Sequence, residues 1–331
     1  MKKHSKMISP IKRERHNPIE KLIDHYADEL VRIFKIMYAK DWVSDKMFLS
    51  WMHRLRLGFW VNWKNPRTFG EKLQWLKLYN RQDLYTTIVD KVKFKEWAAE
   101  RIGSEYIIPN YGVWDSPDEI EFDKLPATFV LKNNHASGEH YLHTSADAPV
   151  DRERALRILK SRFYIRWDKS SGEWPYRNVK HKVLAEELLV DDTRKELLDY
   201  KFYCFHGEPQ VVQVFSWPDH YKFDTKKDVE DWNMMYDMNW KKLPFIHGYP
   251  YKMDGEVPRP ENFEAMIDIA RKLSKDIPFV KVDLYNIKGK IYVGEMTFFP
   301  YGGFGAITPD DEWEYKLGDM IHLDQIKNVT K

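Results

Sequence analysis

Cysteine is nearly absent from this sequence of 331 residues, which contains only Cys204. A single thiol excludes an intrachain disulfide framework and a cysteine-built zinc site, and it suits a reducing compartment. An excess of one charge sign is missing too, because 53 Lys and Arg nearly balance 51 Asp and Glu. The whole chain therefore has no strong field that would attract a polyanion, and we expect no nucleic-acid partner.

Long apolar runs are also missing. No run of about 18 uncharged apolar residues occurs, so the sequence predicts no membrane-spanning helix. The first sixteen residues are rich in Lys, Arg and His, but Glu20, Asp24 and Asp28 interrupt the stretch that follows, so no signal-peptide core is visible. These absences predict a cytoplasmic protein.

Hydrophobic spacing predicts a mainly helical N-terminal third. Residues 1–17 form a polar, basic tail, and apolar residues at three- and four-residue spacing then predict an amphipathic helix from Pro18 to about Lys40. A capping box at Thr68–Glu71 begins a second helix. A third helix is predicted over Ile88–Arg101, ending before Gly103.

The rest of the chain alternates strands with a few helices. Helices are predicted at about 151–166 and 261–276. Strands are predicted at Thr128–Lys132, Val183–Glu187, Tyr200–His206, Gln210–Phe215, Phe279–Tyr285 and Lys290–Thr297. This mixture of hairpin-like pairs and helices favours an α+β fold over a purely parallel sheet.

A strand that ends in lysine precedes a small polar loop at Phe129–Gly138. The backbone amides of a Ser137-Gly138 step can surround phosphate oxygens while Lys132 supplies a positive charge. A lysine and a Ser-Gly step are common, however, so this segment taken alone also fits a plain surface hairpin.

Two carboxylates occur in the predicted hairpin of Phe279–Tyr285 and Lys290–Thr297. Side chains alternate along a strand, so Lys281 and Asp283 share one face of the first strand, and Glu295 shares a face of the second with Thr297 and Val293. Two close carboxylates repel each other unless a cation intervenes, and hard oxygen ligands suit Mg²⁺. The pattern predicts a magnesium site, with solvated acids on a half-exposed hairpin as the alternative.

The register of this hairpin decides whether the two carboxylates meet. A three-residue loop, Ile287–Gly289, is expected to pair Asp283 with Val293 and to leave Glu295 diagonal to it.

Two further segments offer polar groups at strand ends. The apolar strand Val183–Glu187 ends in Glu186 and Glu187, which can present a carboxylate to ribose hydroxyls beside an adenine edge, although paired glutamates usually face water. Asp199 and Lys201 share one strand face, where they can contact a nucleotide or pair with each other.

Taken in order, these segments resemble the TupA-like branch of the ATP-grasp superfamily, named for teichuronopeptide biosynthesis. The resemblance extends over nearly the whole chain and is carried by Asn65–Trp75, Asp90-Lys91, Phe129–Gly138, Ala185–Glu187, Asp199–Gly207, Val282-Asp283 and Gly294–Thr297. It implies two α+β subdomains that clasp ATP, behind a helical N-terminal region. The expected divisions are a tail at 1–17, helices at 18–104 and a catalytic region at 105–331, whose subdomains cover about 105–180 and 181–320.

The resemblance also implies roles for individual residues. The implied nucleotide contacts are Lys91, Lys132, Ser137 and Gly138 at the phosphates, Glu186 and Glu187 beside adenine and ribose, and Asp199 and Lys201. Asp283 and Glu295 match the Mg²⁺ ligands. The implied catalytic residues are Lys281, which stands where relatives usually carry Arg, and Thr297, which stands where many carry Asn. The change from Arg to Lys keeps the charge but loses the bidentate fork.

The implied activity is ADP-forming ligation of a carboxylate to an amine or amino acid through an acyl phosphate, with ATP and Mg²⁺. The expected carboxylate belongs to a sugar or glycan of capsular or cell-wall polysaccharide biosynthesis. A glycosyltransferase is the first alternative, although the Asp-x-Asp motif of metal-dependent transferases is absent from the sequence. The second is a non-catalytic glycan-assembly module at the inner face of the membrane.

The aromatic and arginine-rich segment at residues 47–63 motivates that second alternative. Aromatic rings interleaved with Arg suit an interfacial segment. The competing interpretation is that these rings pack against the helix predicted at residues 18–40, as aromatic side chains commonly do in protein cores.

Overall fold

The computed structural model describes residues 18–136, 138, 140–193, 197–217, 233–248, 256–309 and 311–326. The helices in these ranges are α1 Pro18–His25, α2 Ala27–Ala39, α3 Asp45–Leu57, α4 Phe69–Tyr79, α5 Asp83–Val89, α6 Lys91–Ile102, α7 Arg152–Phe163, α8 Trp167–Ser171, α9 Phe263–Ser274 and α10 Glu312–Asp319. The strands are β1 Asn110–Trp114, β2 Phe129–Asn133, β3 Tyr141–His143, β4 Val183–Glu186, β5 Leu197–Phe205, β6 Glu208–Trp217, β7 Asn233–Asp237, β8 Lys242–Leu243, β9 Ile246–His247, β10 Phe279–Ile287, β11 Lys290–Thr297 and β12 Ile307–Thr308.

The helix predicted at residues 18–40 is divided into α1 and α2 at Tyr26, whose φ of −101° and ψ of 20° depart from helical values. Helix α3 packs beside α2. Phe34 stacks on Trp51 with ring centroids 4.7 Å apart, and Tyr38 stacks on Phe48 at 4.0 Å. Trp51 and Phe48 of the segment at residues 47–63 therefore pack in a core against α2, as the interpretation of these rings as core side chains predicts.

Helices α4 and α6, which correspond to the helices predicted from Thr68–Glu71 and at Ile88–Arg101, begin at capped residues. Thr68 Oγ1 accepts a hydrogen bond from the Glu71 N–H, and the Glu71 carboxylate accepts one from the Thr68 N–H, which confirms the predicted capping box. Helix α6 begins at Lys91 because the Asp90 side chain accepts a hydrogen bond from the Val92 N–H. This cap places Lys91 in the first turn of α6.

The first sheet has four antiparallel strands in the order β1-β4-β2-β3. Helix α7 covers one face of it, where Ala155 and Leu159 join Phe129 and Leu131 in a buried cluster. Strand β4 belongs to this sheet, although the expected division at residue 181 assigned it to the second subdomain. We propose that the boundary lies after Glu186.

The second sheet has six antiparallel strands in the order β11-β10-β5-β6-β7-β8. One face packs against α9, where Phe202 stacks on Phe263 with ring centroids 5.7 Å apart. Val282 is paired with Phe202 and faces the same way, so alternation directs Lys281 and Asp283 to the opposite face. No helix in the described ranges has the length and hydropathy needed to cross a membrane.

The predicted register of the β10–β11 hairpin was wrong. Ile287 is paired with Lys290, so the loop has two residues, Lys288 and Gly289, with φ angles of 50° and 82°. These positive angles are typical of the tight turns that join twisted strands. A register shift of one residue at Gly294 then places Asp283 directly opposite Glu295.

The bulge requires glycine at position 294, because other atoms already occupy the space that a side chain would need. A Cβ added there would lie 3.0 Å from Cε2 of Tyr285 and 3.4 Å from the Asp283 carbonyl oxygen. The bulge also separates Val293 from Glu295: Val293 pairs with Leu284 on the buried face, contrary to the expectation that they share a face.

Candidate active site

Charged side chains form a row across three neighbouring strands of the second sheet. Glu295 of β11, Asp283 of β10 and Lys201 of β5 are paired in register. Lys201 Nζ lies 2.6 Å from Asp283 Oδ2 and also contacts Asp199 Oδ2. The ammonium therefore joins two carboxylates that would otherwise repel each other.

In this group, burial and the neighbouring charges shift the pKa values in opposite directions. Burial raises the pKa of Asp199 to about 6, against the lowering effect of Lys201. Burial acts to lower the pKa of Lys201, but the two carboxylates raise it well above its ordinary value. Lys201 therefore stays protonated and supplies a fixed positive charge beside Asp283.

Lys91 connects the second sheet to the loop that follows β2. Its Nζ lies 3.0 Å from Glu295 Oε2 and donates a hydrogen bond to the Ala136 carbonyl oxygen at 2.9 Å. Burial acts to raise the pKa of Glu295, but Lys91 and then Lys201 lower it to about 2. The carboxylate of Glu295 is therefore ionised at neutral pH.

Hydrogen bonds connect the loop after β2 to the start of α6. The Lys91 N–H donates to the Asn134 carbonyl oxygen at 3.0 Å, and Asn134 Nδ2 donates to Asp90 Oδ1 at 2.8 Å. Gly138 is exposed with a φ of 99°, and no atom lies within 4 Å of an added Cβ there. Ser137, the other predicted loop contact, lies outside the described residues.

Glu186 lies in the first sheet and is neutralised by two lysines. Its Oε2 lies 2.8 Å from Lys95 Nζ, and its Oε1 contacts Lys132 Nζ. Burial acts to raise the pKa of Glu186, but Lys132 and Lys95 lower it below its ordinary value. Both oxygens of its carboxylate therefore contact lysines. The N–H of the adjacent Glu187 donates to the Pro109 carbonyl oxygen at 3.0 Å.

Sequence reasoning missed Lys95. It lies one turn after Lys91, so both ammonium groups project from one face of α6. Lys91 contacts Glu295 in the second sheet and Lys95 contacts Glu186 in the first. The four-residue spacing of the two lysines was the available signal, because it places them on one face whatever their partners.

A family model described as "TupA-like ATPgrasp" matches residues 71–322, and this range contains all the residues of the site described above. The chain belongs to the TupA-like ATP-grasp family. Its two sheets, which α6 contacts through Lys95 and Lys91, belong to an ATP-grasp fold. No curated protein matches the chain.

Several solved structures of ATP-grasp proteins are similar to this chain at low identity. D-alanine–D-alanine ligase from Helicobacter pylori is 13% identical, with a TM-score of 0.40 over 76% of this chain and 68% of its own. The same enzyme from Bacillus anthracis, complexed with ATP, is 13% identical, with a TM-score of 0.37 over 71% and 63%. The ligase PsnB, complexed with a minimal precursor, Mg and ADP, is 11% identical, with a TM-score of 0.36 over 69% and 57%.

The carboxylates of this ATP-grasp chain suit a magnesium ion shared with a nucleotide. Asp283 Oδ1 and Asp199 Oδ1 are buried and have no hydrogen-bond partner among the described residues. No three His, Cys, Asp or Glu side chains form a preformed metal cluster in the described part of the chain. Two protein carboxylates are nevertheless sufficient for Mg²⁺, which takes its other ligands from water and substrate phosphates. The donor set therefore fits Asp283 and Glu295 as the protein ligands.

Lys281 lies beside this row on the same sheet face, opposite Thr297 on β11 and Tyr203 on β5. Its Nζ is 3.7 Å from Asp283 Oδ2, and burial lowers its pKa. The structure thus brings both predicted catalytic residues, Lys281 and Thr297, next to the predicted metal ligands.

His247 was not identified from the sequence. The Tyr203 hydroxyl lies 2.8 Å from His247 Nδ1, and burial lowers the pKa of His247 to about 3. The ring is neutral at physiological pH and buttresses Tyr203 beside Lys281. Strand β9 is only two residues long, and neither periodicity nor a motif marked its histidine.

Proposed function

We propose that this chain is an ADP-forming carboxylate–amine ligase that uses ATP. The observation that carries the proposal is the placement of Lys201, Asp283 and Glu295 in one row, with Lys281 beside it and Lys91 connecting it to the loop after β2. This arrangement offers fixed cations and two carboxylates at one place, as phosphoryl transfer requires.

In the proposed first step, a carboxylate oxygen of the substrate attacks the γ-phosphorus of ATP, the bond to the β–γ bridging oxygen breaks, and ADP leaves. Negative charge spreads over the transferring group, and the side chains of Lys91, Lys201 and Lys281 neutralise it from fixed positions. Mg²⁺, when bound by Asp283 and Glu295, adds charge neutralisation at the phosphate oxygens.

In the proposed second step, an amine attacks the acyl carbon, the carbon–oxygen bond to phosphate breaks, and inorganic phosphate and a proton are released. No nucleophilic side chain is needed for this sequence. The sole cysteine is buried, and burial raises the pKa of its thiol to about 12, which makes it unsuitable as a nucleophile.

The family branch supports a sugar or glycan carboxylate as the acceptor and an amino acid as the amine. Such a product belongs to capsular or cell-wall polysaccharide biosynthesis. A lipid-linked glycan would bring this reaction to the inner face of a membrane.

The proposal is tested by incubating the purified chain with MgATP and a panel of uronic acids paired with amino acids. We expect equal amounts of ADP, phosphate and amide, and a hydroxamate when hydroxylamine replaces the amine, because hydroxylamine captures an acyl phosphate. The matched inactive control is Asp283→Asn. Absence of ADP with every pair, together with sugar transfer from a nucleotide sugar, would show that the protein is a glycosyltransferase instead.

A further inference from the structure

The row of polar side chains that contains Asp283 continues onto the next strand of the second sheet. Gln213 of β6 is paired with Lys201 of β5, which is itself paired with Asp283 of β10. Residues paired across antiparallel strands lie on the same face of a sheet, so Gln213 lies on the face that carries Asp283. Neighbouring strands are about 4.8 Å apart, which places the backbone of Gln213 about 10 Å from that of Asp283.

A second amide side chain, Asn233 of β7, lies beside Gln213 on this face. Asn233 is paired with Phe215, which is paired with Asp199. Gln213 is paired with Met235, two residues along β7 from Asn233. The two amide residues are therefore diagonal neighbours, about 7–8 Å apart, and one small ligand can contact both.

Both amides are buried, and their hydrogen-bonding groups are only partly used. Gln213 is 1% exposed and Asn233 is 0% exposed. Gln213 Nε2 has no hydrogen-bond partner within the described part of the chain, and the same holds for Nδ2 and Oδ1 of Asn233. Unpaired buried polar groups are costly and uncommon in native folds, so these three atoms have a functional reason to be there.

Tyr203 orients the side chain of Gln213. The Tyr203 hydroxyl donates to Gln213 Oε1 at 3.1 Å and lies 2.8 Å from His247 Nδ1. This contact occupies one end of the amide and leaves the other end unused, and exchanging the amide nitrogen and oxygen would still leave one of them without a partner. Gln213 is thus held in one orientation by its neighbours before a ligand binds.

The two ends of the row differ in their chemistry. At one end, Lys91 connects Glu295 to the loop after β2, where the nucleotide phosphates are proposed to bind. At the other end, the neighbours of Gln213 on this face include the buried apolar side chains of Phe215 and Met235. Neutral donors and acceptors beside apolar groups suit a sugar ring, whose hydroxyls both donate and accept and whose C–H groups are apolar.

We propose that Gln213 and Asn233 bind the hydroxyl groups of a sugar acceptor whose carboxylate extends toward Asp283 and Lys201. The proposal rests on the ligase assignment, because it states how the same site selects its carboxylate substrate. Nucleotide and acceptor then approach the middle of the row from opposite ends.

The test measures binding of D-glucuronate, D-galacturonate and D-mannuronate to the full chain by saturation-transfer NMR titration, with Mg²⁺ and a non-hydrolysable ATP analogue present. Cyclohexanecarboxylate is the matched probe, because it has a six-membered ring and a carboxylate but no hydroxyl groups. We expect at least one uronate to bind at least about tenfold more tightly than this probe, since several hydrogen bonds are gained.

Asn233→Leu and Gln213→Met each replace an amide with an apolar side chain of similar size. Each should weaken uronate binding by about 2- to 10-fold per lost hydrogen bond, while the affinity for cyclohexanecarboxylate and for the ATP analogue stays unchanged. Asn233→Leu should unfold at no lower temperature than wild type, because it removes buried polar atoms that have no described partner. Weakened uronate binding with this pattern supports the proposal.

The matched control is Asn239→Leu, the same change at an exposed residue in the turn after β7. It should leave every affinity unchanged. An equal loss of uronate binding in Asn239→Leu and Asn233→Leu would overturn the proposal, since the effect would then not depend on the buried amides.

Three other outcomes would overturn the proposal as well. The first is wild-type binding of all three uronates no tighter than that of cyclohexanecarboxylate. The second is wild-type uronate affinity in both amide variants. The third is weaker binding of the ATP analogue in these variants with uronate binding intact, which would assign the amides to the nucleotide.

Failure of this proposal can be told apart from failure of the ligase assignment. Uronate binding that depends on Gln213 and Asn233, without ADP release with any amine, would contradict the ligase assignment and leave the sugar contact standing. ADP release with a uronate whose KM is the same in wild type and both amide variants would keep the ligase assignment and overturn the sugar contact.

Discussion

Lys201 Nζ lies 2.6 Å from Asp283 Oδ2, and the same ammonium contacts Asp199. This contact satisfies one oxygen of Asp283, while its other oxygen is buried without a partner among the described residues. Lys201 thus holds the carboxylate in place and offsets part of the cost of burying it. The proposed metal ligand is oriented before any nucleotide arrives.

Asp283→Asn removes the charge while nearly preserving the shape of the side chain. We expect ATP turnover to fall by at least about 100-fold, the scale of lost electrostatic stabilisation in a transition state, and to require more Mg²⁺. A magnesium titration of ADP release measures both effects. Asp268→Asn, the same change at an exposed residue of α9, should leave turnover unaltered. Wild-type turnover in Asp283→Asn would exclude this carboxylate as a ligand.

Lys281→Met removes a cation from the sheet face and should lower kcat by roughly 100- to 1,000-fold, because a donor aimed at developing charge is lost. Lys281→Arg keeps the charge and adds a planar fork, so we expect activity within about tenfold of wild type. Steady-state kinetics with MgATP separate kcat from KM. Lys272→Met, at an exposed residue of α9, is the control. A fully active Lys281→Met variant would contradict the proposed role.

Gly294→Ala should disrupt the bulge, since its Cβ would lie 3.0 Å from the Tyr285 ring. We expect a loss of about 1–3 kcal/mol in the free energy of unfolding from overpacking, and a large loss of ATP turnover as Glu295 moves away from Asp283. Gly289→Ala is the control: its φ is 82°, with open space around the Cβ, so it should lower stability without affecting turnover. Turnover that is equal in the two variants would show that the bulge does not position the site.

Lys95→Met leaves the buried Glu186 with Lys132 as its remaining described counterion. We expect a loss of about 3 kcal/mol in the free energy of unfolding, because breaking a buried ion pair leaves charge poorly compensated. Adding Glu186→Gln should recover part of this loss, and urea unfolding of the double-mutant cycle measures the coupling.

The control for that cycle is Lys160→Met. Lys160 pairs with Asp118 on the surface, with side chains 46% and 64% exposed. Exposed pairs contribute only about 0–1 kcal/mol, so this variant should remain close to wild type. Additive effects of the two substitutions at the buried pair would contradict the proposed coupling.

Glu314 provides a pH-dependent prediction. It is 1% exposed, and burial raises its pKa to about 7, although Oε2 accepts a hydrogen bond from the Gly70 N–H at 3.2 Å. The unfolded chain loses this proton near pH 4.5 while the folded chain keeps it, so Glu314 lowers the stability of the fold progressively as pH rises from about 4.5 to 7.

Glu314→Gln should therefore be more stable than wild type at pH 8, by up to about 3 kcal/mol, and close to wild type at pH 4. Urea unfolding at both pH values measures the difference. Glu312→Gln, on the exposed side of the same helix, is the control and should show no such trend. A difference that stays constant between the two pH values would show that ionisation of Glu314 is not its cause.

The sequence by itself determined the local elements and the types of side chain at the site. Alternation and capping residues predicted the strands Phe279–Tyr285 and Lys290–Thr297 and the helix beginning after Thr68, because these depend on neighbours a few residues apart. Motif order gave the ATP-grasp family and the candidate residues Lys91, Asp283 and Glu295.

Only the tertiary structure decided which of these groups meet. The bulge at Gly294 places Glu295 opposite Asp283, and it depends on how the Tyr285 ring packs over the glycine. Pairing of Lys95 with Glu186 joins residues 91 positions apart. Alternation fixes the face of a strand on which a side chain lies, but register and contacts between elements depend on packing across the whole fold, which no local pattern encodes.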